Sequence, residues 1–169
     1  QGVSAPFAGY FNHTLWVAGG CNFPEVPAAE GGKKEFYADI YALENPDNAN
    51  SQWKKVGQLS QKLAYGVSVN VPHGMVCIGG TDGKSSHAES YLIHASSQQP
   101  NVKHLPALPQ ALDNMAGAYG GGYIYVAGGQ TNGQPTCAAY RLAYPNGTHW
   151  EKLPDFPGRP RLQPAAAVQ

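Results

Sequence analysis

Charge is scarce in this sequence. Asp, Glu, Lys and Arg make up 13% of the 169 residues, and 11 basic residues balance 11 acidic ones. A neutral chain offers no electrostatic footing for a nucleic acid or an anionic membrane. No apolar run approaches the roughly 18 residues that a spanning helix needs. No charged segment running into an apolar one marks the N-terminus as a secretory leader. The first residue is Gln1 rather than Met, so a removed leading segment is expected. Cysteine is sparse too: Cys21, Cys77 and Cys137 are odd in number and widely spaced, which fits neither a disulfide framework nor a CxxC metal site. The compartment is not readable from them. Six histidines show no HxH or HExxH arrangement, so no metal site is expected. No phosphate-binding glycine loop, Ser-His-Asp order or catalytic cysteine setting is visible.

What is plentiful is Gly (21), Pro (14) and Tyr (10), a mix that suits short strands joined by tight turns. The chain also repeats itself. An apolar stretch runs into a glycine pair three times, at Leu15–Gly20, Met75–Gly80 and Ile124–Gly129. A strand-like segment with a tyrosine at the same place follows each: Tyr41, Tyr91 and Tyr140. A third element comes next, at Trp53–Val56, Val102–Leu105 and Trp150–Leu153, trailed by Leu59, Leu108 and Phe156. Segments of small residues (Phe7–Tyr10, Ala64–Val67, Ala116–Tyr119, Ala165–Val168) lead into or follow these units. From the second glycine to the tyrosine is 21 residues in the first repeat and 11 in the others. That excess explains glycine-pair spacings of 60 and then 49. A period of about 50 with four short strands is the plan of a kelch propeller blade.

The expected fold is therefore all-β: a kelch-type β-propeller of three four-stranded antiparallel blades, about 3–59, 60–108 and 109–157, with 158–169 starting a further blade. Small-residue strands belong innermost, where bulky side chains do not fit. The glycine pairs permit a turn that a Cβ would obstruct. Tyr and Trp belong further out, where the blades splay. Val17, Val76 and Val126 are expected between sheets, and Trp53 and Trp150 on outer strands.

Ligand chemistry on a propeller gathers on one face, around the axial channel. Two sets of loops reach it here: 21–36, 81–89 and 130–137 after the glycine pairs, and 60–63, 109–115 and 157–163 before the inner strands. The first loop holds the ten-residue insertion, with Asn22, Glu30, Lys33 and Lys34, and long insertions on a rigid scaffold are where function collects. Solvated lysines or ordinary surface ion pairs are the plain alternative for these charges. In the last loop, Arg159 and Arg161 stand among Pro157, Pro160 and Pro164. Proline pre-organises that loop, and arginine's planar fork suits a carboxylate.

Several segments resemble the N-acetylneuraminate epimerases, or sialic acid mutarotases. They are Phe7-Ala8-Gly9, Val17-Ala18-Gly19-Gly20, Glu30-Gly31-Gly32-Lys33-Lys34, Asp39-Ile40, Gly57-Gln58-Leu59-Ser60-Gln61 and Ala64-Tyr65-Gly66-Val67-Ser68. Phe156-Pro157-Gly158 with Pro160-Arg161 and Gln163 resembles a stretch near the start of the bacterial enzymes, while the first two blades resemble their end. That order points to a cyclically permuted branch. The resemblance implies half of a six-bladed propeller that interconverts the α and β anomers of sialic acid. It implies Arg161 as carboxylate contact with Gln163 beside it, Glu30 as catalytic carboxylate and Lys33 as a second cation, while Arg159 and Asn22 are further candidate contacts by their loop positions. It implies no metal or redox cofactor, and a periplasmic or secreted setting. Where the family carries an arginine before Ala-Tyr-Gly-Val-Ser, this chain has Leu63, and the family's middle blades have no counterpart in it. The expected partners are a small sugar acid and further blades, from a longer chain or a second copy. A non-catalytic propeller module binding a glycan or a protein is the other function class these residues allow.

Overall fold

A computed structural model describes residues 2–95 and 100–167. It is built from three four-stranded antiparallel sheets, one per repeat, each paired in sequence order from its first strand to its last. The first sheet joins β1 (Phe7–Phe11) and β2 (Thr14–Ala18) to β5 (Asp39–Glu44) and β6 (Lys54–Gln58). Between β2 and β5 the insertion folds as a hairpin of β3 (Cys21–Asn22) and β4 (Glu35–Phe36), with one 3-10 turn at Ala28–Glu30. The second sheet is β7 (Val67–Val71), β8 (Gly74–Ile78), β9 (Ser90–Ala95) and β10 (Pro100–Leu105). The third is β11 (Ala116–Gly120), β12 (Tyr123–Ala127), β15 (Ala139–Ala143) and β16 (Glu151–Leu153), with a hairpin of β13 (Gln130–Thr131) and β14 (Gln134–Pro135) set into its loop. The first strands β1, β7 and β11 touch one another in turn, so they are innermost and the sheets radiate as propeller blades.

The core lies between blades, and strand alternation explains it. Trp16 and Ala18 point from β2 toward the second blade, where Met75, Cys77, Tyr91 and Ile93 meet them. The opposite side of β8, Val76 and Ile78, faces Ile124, Val126, Tyr140 and Trp150 of the third blade. β8 is thus apolar on both sides because the second blade has a neighbour on each. Val17, expected to be buried like Val76 and Val126, is only half-buried. It stands on the side of the first blade that no other described sheet covers.

Three further expectations are corrected. Ala64, Tyr65 and Gly66 precede the innermost strand of the second blade rather than forming it, and that strand is Val-Ser-Val-Asn-Val. Glycine is required only at the tight contacts: a Cβ on Gly9 would lie 2.5 Å from Asn70 Oδ1, and one on Gly117 would lie 3.0 Å from the Tyr125 carbonyl. Trp53 and Trp150 sit one residue before β6 and β16 instead of within them. Residues 165–167 form no strand, since among the described residues no following sheet pairs with them; Val168 and Gln169 lie outside the described residues. The cysteines are free, with Cys21 and Cys77 buried, and burial pushes the Cys77 thiol up.

Candidate functional site

The glycine pairs bring the loops to the axis. In each blade the second glycine donates its N–H to the segment that enters the next blade: Gly20 to the Leu63 carbonyl (2.7 Å), Gly80 to Leu112 (2.9 Å) and Gly129 to Arg161 (2.9 Å). Loops from all three blades meet there around a cleft of about 470 Å³. The first blade contributes Lys34 and Phe36, the second Tyr65 and Ser86, and the third Asn114 and Asn132. The insertion hairpin leans over the second blade so closely that a Cβ on Gly83 would strike the Phe36 ring at 2.5 Å.

Two lysines, Lys34 and Lys84, line this cleft, and Lys34 is the one held by aromatic side chains. Its Nζ donates to Tyr65 Oη at 2.9 Å and lies 5.0 Å from the Tyr65 ring centroid and 5.4 Å from that of Phe23. The Tyr65 hydrogen bond holds the ammonium above its ordinary pKa, against a smaller opposing effect of burial, so the charge persists through neutral pH. Asp113 forms the floor. It is 2% exposed, and its carboxylate accepts from Ser86 Oγ (2.5 Å), Asn114 Nδ2 (2.6 Å) and Gln130 Nε2 (2.8 Å). Those bonds satisfy a buried charge that would otherwise be costly. Ser86 also ties the two loops together, its N–H donating to Asn132 Oδ1 (2.9 Å) and its Oγ accepting from Asn132 N–H (2.7 Å).

Asp82 shapes the same loop. Its carboxylate accepts the backbone N–H groups of Ser85 (2.9 Å) and Lys84 (2.8 Å), which hold its pKa below the usual carboxylate value. Asp39 is held down as well, first by Gln58 and then by Lys55. A depressed folded-state pKa contributes stability that is present above the ordinary carboxylate pKa, near 4, and lost as pH falls through the folded value. The urea midpoint is therefore expected to drop on acidification from about pH 5 to about pH 2. Asp82→Asn, which keeps an acceptor for the turn but removes the charge, should lower the neutral midpoint by Asp82's share, leave the low-pH midpoint nearly unchanged and so flatten part of that acid slope. An unaltered slope would remove Asp82 from the explanation.

The residues singled out from the sequence fall in several places. Gln163 reaches the cleft's edge, donating from Nε2 to Asn114 Oδ1 at 3.1 Å. Glu30 and Lys33 are exposed on the insertion and do not line the cleft. Asn22 is half-buried elsewhere, bonded to the Gly2 carbonyl (2.8 Å) and to Tyr37 Oη (2.7 Å). Arg159 and Arg161 are exposed and form no ion pair among the described residues. Arg161 holds the repeat position of Leu63 and Leu112, whose side chains are fully buried between blades. Unlike them, Arg161 is exposed. Tyr65, Asn114 and Asp113 were not singled out. Constant spacing could have found two of the cleft's residues, since Asn114 and Gln163 each lie 34 positions after the second glycine of their repeat.

No group of three or more metal-ligating side chains occurs among the described residues, and no helix is long and apolar enough to cross a membrane. Radiating four-stranded blades with a polar cleft at the axial mouth define a β-propeller carrying its candidate site where three blades meet. The chain belongs to the N-acetylneuraminate epimerase family, whose model matches residues 1–99. It is similar to the N-acetylneuraminate epimerase of Yersinia pestis (strain Pestoides F), 34% identical over 103 residues, which are 54% of this chain and 25% of that protein. The namesake proteins of Salmonella arizonae and Vibrio vulnificus (strain YJ016) are 34% identical over 104 residues and 30% identical over 112. Those alignments take in 56% and 60% of this chain, and 26% and 28% of the relatives. The matched segment thus spans about a quarter of the length of these curated relatives.

Proposed function

We propose that the axial cleft takes a sialic-acid-type sugar acid and serves the interconversion of its α and β anomers. The observation that carries this reading is Lys34, a cation held by the Tyr65 phenol and flanked by the Tyr65 and Phe23 rings at the rim of a cleft whose lining also holds Lys84, the already bonded Asp113, and several hydroxyls and amides. A sugar acid needs one positive contact for its carboxylate and many neutral partners for its hydroxyls, and a volume of this size suits a single monosaccharide. Anomer exchange requires a proton to leave the anomeric hydroxyl and one to reach the ring oxygen as the ring C–O bond breaks. The open-chain ketone then recloses on its other face. Tyr65 accepts from Lys34, which leaves its own O–H free to donate to that ring oxygen.

A non-catalytic glycan-binding module is the second reading. It is favoured by Asp113, the cleft's buried carboxylate, whose oxygens already accept three side-chain hydrogen bonds. NMR of N-acetylneuraminate separates the two. Exchange between anomer signals that quickens with added protein supports the isomerase. Ligand binding without faster exchange, even with further blades completing the ring, supports the module. Lys34→Met should weaken sugar-acid binding by about 10- to 100-fold, the range for losing a charged hydrogen bond. Unchanged binding in that variant would remove the cleft from the proposal.

A further inference from the structure

Each of the three blades enters its innermost strand through one residue of positive φ, Ala5 (50°), Tyr65 (60°) and Asn114 (55°), and Gln163 (50°) repeats the position after the third blade. These residues are linked in a backbone chain around the axis. Tyr65 N–H donates to the Ala5 carbonyl (3.0 Å), Asn114 N–H to Tyr65 (2.7 Å) and Gln163 N–H to Asn114 (2.8 Å). Left-handed backbone favours glycine or asparagine. Tyrosine and glutamine bring no such advantage, so local backbone preference does not account for them. What the position does offer is a side chain delivered once per blade to the channel mouth, and those side chains are already engaged there, Tyr65 with Lys34 and Gln163 with Asn114.

We infer that this left-handed ring is the ligand-reading element of the propeller, and that Asn114 and Gln163 together recognise the N-acyl group of the sugar acid. The inference rests on the sugar-acid reading above. Asn114 spends one N–H on Asp113 and its Oδ1 on Gln163, which leaves a second N–H. Gln163 spends one N–H on Asn114, which leaves its Oε1. A free donor next to a free acceptor is the complement of a secondary amide, whose C=O accepts and whose N–H donates. A hydroxyl also donates and accepts, but from one oxygen, whereas the amide's N–H and C=O stand apart and can each meet its own partner. Sites built around hydrogen bonds of this kind reject analogues that lack the partner.

Calorimetric titration of the full chain with N-acetylneuraminate, and with the same sugar acid carrying a hydroxyl in place of the acetamido group, tests this. The unaltered chain should prefer the acetamido sugar by about tenfold, one to two hydrogen bonds' worth. Asn114→Gly keeps the left-handed backbone while removing the side chain. It should bring the ratio near one and leave the hydroxyl sugar bound within about twofold. Gln163→Gly should act in the same direction, which guards against a folding defect in either variant. Lys34→Met should weaken both sugars alike and preserve the ratio. A ratio unmoved by both glycine variants, or equal loss of both sugars, overturns the inference. Tight binding of both sugars without preference also defeats it, while leaving the sugar-acid reading intact. Binding of neither sugar defeats both.

Discussion

Gly79→Ala is expected to destabilise the chain by about 3 kcal/mol, from roughly 1–3 kcal/mol for left-handed backbone and a similar amount for overpacking. Gly79 has a φ of 58°, and an added Cβ would sit 2.3 Å from the Leu112 carbonyl and 2.5 Å from the Met115 side chain. The obstruction is backbone, so it cannot rotate aside. Leu112 anchors the interblade core and its carbonyl takes the Gly80 N–H, so relief of the clash loosens the junction between the second and third blades. Gly121→Ala supplies the control, because its φ is 57° but nothing lies within 4 Å of the added carbon. That variant should cost only about 1 kcal/mol, the conformational share alone. Denaturant midpoints of the two variants decide the matter. Equal losses would mean that close approach between blades is not what the glycine pairs provide.

The blade architecture was legible because physics repeats with the fold. Each blade needs two glycines where the following entry segment presses on the turn, and in the second and third blades a tyrosine 11 positions later reaches back toward the preceding entry segment. Tyr91 Oη meets Ser60 and Gln61 at 3.0 Å, and Tyr140 Oη donates to Gln110 at 3.2 Å. The register of the inner strands was less legible, because Ala-Tyr-Gly reads as small-residue strand although Tyr65 takes a left-handed turn. The choice between Lys33 and Lys34 depends on how a two-residue hairpin leans over the neighbouring blade, which composition does not encode. Arg161 illustrates two competing signals. Its prolines suggested a braced anion contact, whereas its hydrogen-bond register is that of two buried leucines. Family membership follows from the comparisons, while the cleft's residues emerge only when three blades are assembled.

The largest effect on activity is expected from covering the open flank of the first blade. There Tyr41 is 38% exposed and Trp53 is 47% exposed, beside half-buried Leu15 and Val17. Their repeat counterparts Tyr91 and Trp150 are 1% and 4% exposed, and Trp150 donates its Nε1 proton to the Pro106 carbonyl of the preceding blade at 2.9 Å. The same side chains in the same register are thus buried wherever a blade precedes them. On the other flank, Tyr123 is half-buried beneath Arg141, whose guanidinium lies 4.6 Å from its ring centroid and pairs with Glu151 at 2.7 Å. Both flanks expose aromatic rings, and an apolar surface of the kind on the first blade favours a partner. The partner expected is a set of further blades, joined in one chain or brought by a second copy. The chain by itself should self-associate as concentration rises, with Trp53 emission shifting to the blue. Anomer exchange should be weak in dilute solution and should rise by about 100-fold or more once further blades complete the wall around the axis, because positioning of that kind is worth several orders of magnitude. Light scattering that shows a stable monomer at high concentration, together with robust exchange by that monomer, would defeat this account.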